Sequence, residues 1–190
     1  MKSTDEGLSV WRAWGPGAGY SFAEGMHGVS DATNRALLTG RRVRSPVPTI
    51  SYSELGTGAL AEALAEPMGA LVTSQRLREF LEEKAQARIQ FLPTKLEGTR
   101  KVYWVANVLE QVDCIDRERS RYSEHGETGG IAKLKRLVLL PLGAEGPGLF
   151  HLKGFAGIIL SRPWLRRLVE ADFPSAGHFV PVSKFKIGYL

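Results

Sequence analysis

One pattern occurs twice in this chain, and it restricts the architecture more than any other feature. Gly69-Ala-Leu-Val-Thr-Ser74 is a short apolar run ending at a serine, Leu77-Arg78-Glu79-Phe80-Leu81-Glu82 opens a segment of helical periodicity, and Phe91-Leu92-Pro93 returns as an extended run. The same order recurs in Gly157-Ile-Ile-Leu-Ser161, Leu165-Arg166-Arg167-Leu168-Val169-Glu170 and Phe179-Val180-Pro181. From Glu82 to Phe91 and from Glu170 to Phe179 the spacing is nine, and the second copy carries one extra residue between its serine and its Leu-Arg pair. Recurrence at matched spacing marks a duplicated structural unit, here strand-helix-strand. Helical spacing puts Leu77, Phe80 and Leu81 on one face, and Trp164 or Leu165 with Leu168 and Val169 on the other helix's face. Each helix then covers a sheet and leaves Arg78, Arg166 and Arg167 towards solvent. Ser74 and Ser161 stand where an N-cap hydroxyl accepts a first-turn amide, worth about 1 kcal/mol, and Pro163 suits a first helical turn. Capping accounts for both serines without nucleophilic chemistry.

Between the units, residues 102–109 are apolar on both alternating sets, which predicts a central strand covered on both faces. Residues 137–142 and 149–152 flank a turn-rich segment at 143–148 and read as a hairpin, with Pro141 placing the first run at an edge or strand end. His151 alternates with Phe150 and Leu152 and is expected to face solvent. Residues 117–130 are polar, carry Gly126, Gly129 and Gly130, and predict an exposed loop suited to contacts. The first 50 residues are dense in turn formers. They predict short strands and loops, with Trp11, Trp14, Tyr20 and Phe22 anchoring an arm onto the body. A helical turn is expected over 60–64, ending near Pro67. Together these readings give an α+β fold: a mixed, largely antiparallel sheet with a few covering helices and two related strand-helix-strand units. Residues 1–68 form an N-terminal arm or subdomain packed on a body of residues 69–190, with one shared core.

At 190 residues, 43% hydrophobic and 24% charged, the chain suits one packed domain rather than a disordered or fibrous one. The single Cys114 excludes an internal disulfide and a thiolate zinc site and fits a reducing compartment. No apolar run approaches the roughly 20 residues of a membrane helix, and the first ten residues lack the apolar region of a secretory signal, so a cytoplasmic location is expected. The net charge of +5 is unevenly placed: residues 1–130 hold 16 Lys and Arg against 17 Asp and Glu, residues 131–190 hold 9 against 3. A basic last third can attract nucleic acid, anionic lipid or an acidic protein surface.

Few residues of the chain are spaced for catalysis or ligand binding. The phosphate-loop, nucleophile-elbow and zinc-protease motifs are absent from the sequence, and Gly15, Gly17 and Gly19 lack the strand that precedes a dinucleotide loop. His27, His125, His151 and His178 show no metal-ligand spacing, so neither metal nor cofactor is expected. Asp113, Asp116 and Glu118 follow the central strand, and Glu124, His125 and Glu127 lie in the polar loop. Carboxylates so placed can hold a divalent cation or exchange protons, yet Arg117, Arg119 and Arg121 interleave with them and satisfy them as ion pairs. From the residues alone, two classes stay open: a basic nucleic-acid-binding or regulatory module, and a metal-dependent hydrolase using the Asp113 and Asp116 region.

The order of several short signatures goes further. Tyr103-Trp-Val-Ala-Asn-Val-Leu109, then Val112-Asp-Cys-Ile-Asp116 and Ser120, then Phe150-His-Leu-Lys-Gly154, Ile158-Ile-Leu-Ser161 and Phe179-Val-Pro181 together resemble a family of bacterial immunity proteins of polymorphic toxin systems, typified by a myxobacterial member. The resemblance spans roughly residues 69–183. It implies a non-enzymatic cytoplasmic protein that binds and neutralises a cognate secreted or contact-delivered toxin encoded by a neighbouring gene, with no catalytic residues to carry over. The expected partner surface is the loop bearing Arg117, Arg119, Arg121, Glu124, His125 and Glu127, with Arg166 and Arg167 as neighbours or a second patch. Membrane association is not expected, and nucleic acid is disfavoured as partner.

Overall fold

The computed structural model describes residues 7–14, 18–55, 58–66, 70–124, 131–155 and 157–185, without the side chains of 54, 55, 124, 131 and 132. In chain order the first elements are β1 (Ser9–Arg12), β2 (Phe22–His27), α1 (Asp31–Leu38), β3 (Ile50–Leu55) and β4 (Ala63–Leu64). Then come β5 (Leu71–Ser74), α2 (Gln75–Lys84), β6 (Ile89–Leu96), β7 (Tyr103–Val108) and β8 (Gln111–Val112). The last are β9 (Arg121–Glu124), β10 (Ile131–Arg136), β11 (Leu149–Leu152), β12 (Ile159–Ser161), α3 (Pro163–Asp172) and β13 (His178–Pro181), with 3-10 turns at Pro174–Ala176 and Val182–Lys184.

Both repeats form, and each is split by an inserted strand. β5 and β6 are both antiparallel to β7, which lies between them, so Val105 faces Val72 on one edge and Leu92 on the other. β12 and β13 are likewise both antiparallel to β1, where Val10 faces Leu160 on one side and Val180 on the other. Two strands antiparallel to one neighbour run parallel to each other, and a parallel pair needs a crossover, which α2 and α3 supply. The units extend into a six-stranded sheet, β2-β3-β6-β7-β5-β4, and a five-stranded sheet, β13-β1-β12-β11-β8. Among the described residues β9 and β10 pair as a separate hairpin. Among the described residues the strand pairs β3 with β6 and β8 with β11 are parallel, beside a few isolated parallel bridges, and the other strand pairs are antiparallel, so the α+β, largely antiparallel reading holds.

The equivalence reaches side chains. Leu77 and Leu165 are both fully buried, Leu81 and Val169 follow one turn later, and all four lie in a central cluster with Leu71, Ala106 and Val108 of one sheet and Trp11, Leu149 and Ile159 of the other. Arg78 pairs with Glu82 at 3.0 Å and Arg166 with Glu170 at 3.8 Å, each one helical turn on. Phe91 and Phe179 pack against the same cluster. Alternation along the strands sends the other faces into two outer clusters: Val10, Phe150, Leu152 and Leu160 into one, Val72, Leu92, Tyr103 and Val105 into the other. Residues 103–108 are therefore covered on both faces, as their uninterrupted apolarity predicts.

Several local expectations are corrected. Ser74 does cap α2, its Oγ accepting the Leu77 amide at 3.2 Å, but Ser161 stays inside β12. The extra residue makes Arg162 the N-cap, without a side-chain bond, and Pro163 enters the first turn, where its missing N–H leaves no donor unpaired. Leu168 is 39% exposed. At the matching position of α2, Phe80 tilts against Phe173 with centroids 4.8 Å apart, so the buried stripe of α3 is the narrower one. Arg78 does not simply point to solvent, since its guanidinium lies 4.0 Å over the Trp104 ring. Residues 63–64 form β4, with Ala63 opposite Thr73, rather than a helical turn. The first 50 residues include a helix, α1, capped by Ser30.

The hairpin expected across 137–152 does not form. Leu139 makes an isolated bridge to Ile115, and β11 pairs with β12 and β8 instead. Its supposed turn is held by Arg162, whose guanidinium donates to the carbonyls of Gly143, Ala144, Glu145 and Pro147 at 2.7–3.3 Å. A buried guanidinium meeting four carbonyls satisfies its donor set. At the other end, Gly177 (φ +120°) permits a close approach in which a Cβ would collide with the Arg12 carbonyl oxygen. Trp11, 5% exposed, donates Nε1–H to the Ala176 carbonyl at 2.8 Å, tying the inserted strand to the turn before β13. Trp11→Ala is expected to lower the unfolding free energy by about 3–5 kcal/mol, read from urea titration; a loss below about 1 kcal/mol would deny the inserted strand its anchoring role.

Candidate functional site

Of the stretch expected to be an exposed loop, residues 121–124 form β9, which pairs with β10 just beyond that stretch as a two-stranded ribbon, and residues 125–130 lie outside the described residues. Tyr122 and Leu134 face each other across β9 and β10. Leu134 is buried in the outer cluster beneath the five-stranded sheet, and Tyr122 packs there with its ring edge-on to Phe155 at 6.4 Å. With these two turned inward, alternation sends Arg121, Ser123, Lys133 and Lys135 to the other face. Arg121, Ser123 and Lys135 are exposed. Together with Arg117, Ser120 and Tyr122 they line an open groove of about 490 Å³, and none of these lining residues is acidic.

The base of the ribbon is built from the residues suspected of chemistry. Ser120, 8% exposed, donates through Oγ to the Val138 carbonyl at 3.0 Å and accepts the Val138 amide at 2.9 Å. Asp116 donates its amide to the Val138 carbonyl, and its own carbonyl accepts the Ser120 amide. Its carboxylate takes the Arg119 amide at 2.9 Å and the Arg119 guanidinium at 3.7 Å. Asp113 pairs elsewhere, with Lys153 at 3.6 Å. Among the described residues no group of three His, Cys, Asp or Glu side chains is placed to hold a metal ion. Asp116 is a turn-forming group, and the two carboxylates serve different cations. The Arg117 guanidinium donates to the Tyr122 hydroxyl at 3.3 Å.

The ribbon thus brings Arg117 and Arg121 together, with Arg119 on the turn below. Glu124 lies in β9 by its backbone, whereas His125 and Glu127 lie outside the described residues. Arg166 and Arg167 do not line this groove. They sit on α3, which packs into the central cluster, and the five-stranded sheet separates that cluster from the one holding Leu134. Arg166 donates to Ser9 Oγ at 3.0 Å, and Arg167 is exposed. Lys133 and Lys135 escape a search confined to the polar loop. Their signal is the period-two alternation Lys133-Leu134-Lys135, a half-buried strand.

A second hollow of about 390 Å³ lies by the start of α2, bordered by Ala61, Gln75, Arg76, Lys101, Tyr103 and the 55% exposed Val102 among others. Ser74 at its rim donates Oγ–H to Glu62 while capping the helix, a structural use of the hydroxyl. His151 departs from expectation altogether: it is 3% exposed and faces away from Phe150 and Leu152 into the contact with Gly40. A Cβ at Gly40 (φ +62°) would lie 2.6 Å from the imidazole Cδ2. The alternation with Phe150 and Leu152 holds, but the face opposite those two residues is covered as well. Burial pushes the imidazole down to about 4, against a smaller upward effect of the Ile158 backbone. His178 is also lowered, by burial and then by Arg12, and stacks on Trp14 at 4.5 Å.

No helix among the described residues is long and apolar enough to cross a membrane. Residues 19–180 match the family described as Immunity protein family (Imm11). The chain belongs to the Imm11 immunity protein family. The match takes in β2 through Val180 of β13, and so the strands and helices of both repeats, while β1, which splits the second, lies before it; the span is wider than the 69–183 of the short signatures. No curated protein matches the chain.

His151 gives this Imm11 protein a defined acid sensitivity. The unfolded imidazole titrates at its ordinary value of 6.5 and the folded one near 4, so between these values the unfolded chain binds more protons. The stability this group allows is complete above about pH 6.5 and falls by about 3 kcal/mol as pH drops towards 4, where the loss levels off. His151→Leu is expected to remove that part of the slope, seen as urea midpoints of wild type and variant that change relative to one another between about pH 7 and pH 4.5. Parallel midpoints would refute the assignment.

Proposed function

We propose that this protein protects the cell that makes it by binding a cognate secreted or contact-delivered toxin in the cytoplasm and holding it inactive, without catalysis of its own. The observation that carries the reading is the Imm11 match over residues 19–180, which includes both units and the basic ribbon between them. The chemistry of the site supports it. Asp113 and Asp116 are taken up by Lys153 and Arg119, and Ser74 by its helix and Glu62. The proposal treats residues 1–68 and 69–190 as one binding unit about a shared core, supported by the place of β1 between β12 and β13.

Neutralisation of this kind works by mass action. A complex that buries about 1,600 Å² in total covers an active site or holds an inactive shape, with aromatic and arginine anchors supplying most of the energy. The toxin is expected to be the product of a neighbouring gene. Co-expression with that product should restore growth to cells that the toxin alone arrests, and the two chains should co-purify. Absence of rescue with both chains folded and expressed overturns the reading.

A further inference from the structure

We propose that the hollow beside the start of α2 receives a large apolar side chain of the toxin, on a segment that also carries a carboxylate for Lys101. This rests on the immunity reading and adds the surface and the chemistry of the partner. Val102 is the most exposed large apolar side chain among the described residues, at 55%. A lone exposed valine needs no explanation, but this one borders a hollow of about 390 Å³ together with Leu60, Ala61 and Tyr103. An apolar group entering it takes those walls out of water, which is the main source of affinity in protein association. Beside the hollow the Arg78 guanidinium lies over the half-buried rings of Trp104 and Phe91, and arginine and tryptophan are the residue types that dominate binding energy at interfaces.

The hollow is formed before a partner arrives. Ser74 donates its amide to the Glu62 carbonyl at 2.8 Å and lies opposite Tyr103 in the sheet, and the Tyr103 hydroxyl donates to the Ala61 carbonyl at 2.7 Å. On the helix side Gln75 accepts the Trp104 indole N–H and donates to Glu79, each at 2.6 Å. Arg76 is fixed by Glu62 at 3.3 Å, by the Asp172 carbonyl at 3.2 Å and by the Phe173 ring at 4.5 Å. Walls held this way reduce the ordering cost of binding.

The charges select the occupant. Three charged residues border the hollow, and Glu62 and Arg76 neutralise each other. Lys101 is exposed, and its ammonium has no ion pair or hydrogen bond among the described residues. Of the carboxylates nearby in sequence, Glu66 is buried and accepts the Ala70 amide, Glu79 accepts Gln75, and Glu82 pairs with Arg78. Glu97, on the turn before Lys101, is matched in number by Arg100. The surface as a whole is thus close to neutral, so apolar contact supplies the affinity and one ammonium sets the register of the partner segment. A nucleic acid is the poorer fit, because its phosphates would meet Glu62 and a single available cation, and Arg78 already covers one face of the Trp104 ring.

The test uses the full chain and the neighbour-encoded toxin. Val102→Asp should weaken toxin binding about 30-fold or more and reduce growth rescue while the circular dichroism and melting temperature stay near wild type. Val102→Ala should lose about fivefold and keeps the test valid if the aspartate prevents folding. Val47→Asp, the same change at another exposed valine, should leave affinity within about threefold of wild type. Lys101→Glu should weaken binding about tenfold and Lys101→Arg should preserve it. Benzoylphenylalanine in place of Val102 should cross-link under light to a toxin segment with a large apolar residue and an Asp or Glu close by. Wild-type affinity in both Val102 variants, or an equal loss in Val47→Asp, overturns the hollow and leaves the immunity reading standing. A cross-link to a toxin segment without those residues overturns the assigned occupant. A cross-link between two copies of this chain, with a dimer seen by light scattering in the absence of toxin, gives the hollow to self-association and also overturns the proposal. A wild type that neither binds the toxin nor rescues growth defeats the immunity reading, and the hollow's assigned partner with it.

Discussion

The paired edges of β1 hold the second repeat together. β12 and β13 run parallel but do not touch, and the backbone groups facing the gap between them need partners, since buried peptide groups left unpaired are costly. β1 fills that gap with Ser9 facing Ser161 on one side and Pro181 on the other. Its alternation then feeds two cores at once, Val10 outward and Trp11 into the cluster shared by both helices. The first repeat solves the same problem locally, because β7 follows β6 after a short connection. The second must recruit a strand from the opposite end of the chain, and Gly177 leaves room for that strand's backbone. Duplication of a strand-helix-strand unit thus produces two sheets that share a helical core, although their missing strands come from very different sequence distances.

What the sequence made legible divides along that line of locality. The buried face of α2, the cap at Ser74 and the two-sided burial of residues 103–108 are written in spacings of a few residues and appear where the spacings put them, whereas Leu168 leaves the buried face of α3. The inserted strands are not written that way, since pairing between residue 9 and residue 161 leaves no periodic trace in either segment. The same limit explains the lost hairpin at 137–152: two apolar runs around a turn-rich segment satisfy the local pattern, but β12 and β8 compete for β11 and win. His151 shows a related failure. Alternation identifies the face on which its imidazole lies, but only the packing of α1's C-terminal turn, with Gly40, reveals that this face is closed. At the site, the arginines were legible as charges and the lysines were not, because the polar loop hid the strand boundary at residue 131.

The charge of the last third also acquires a more specific meaning. A count of 9 basic against 3 acidic residues describes a field, not a surface, and the structure distributes those cations unevenly. Arg162 is buried and spends its donors on four carbonyls of one loop. Arg166 is tied to Ser9 and Glu170. Lys133 and Lys135 line one groove with Arg117 and Arg121 from the acidic-balanced part of the chain. Net charge by segment therefore misassigns the surface: half of the groove's cations come from residues 1–130, whose charges nearly cancel.

On the immunity function proposed above, the separation between scaffold and ribbon bears on how the protein can be matched to a particular toxin. The two sheets and their helices are fixed by core residues whose truncation costs several kcal/mol each. The ribbon adds only two strands to this scaffold and is anchored through Tyr122, Leu134 and the Ser120 bonds at its base. Its outward residues alternate with those anchors, so they can be exchanged with effects on stability within about 0.5 kcal/mol, the range of ordinary surface substitutions. An inhibitor matched to one partner needs this independence, because specificity is a difference between affinities that must be adjustable without endangering the fold. A groove built on loop backbone alone would change shape with each substitution. One built on a paired ribbon keeps its geometry while its charges vary, so on the proposed reading the outward face of β9 and β10 is where this molecule can be adjusted at least cost to its fold.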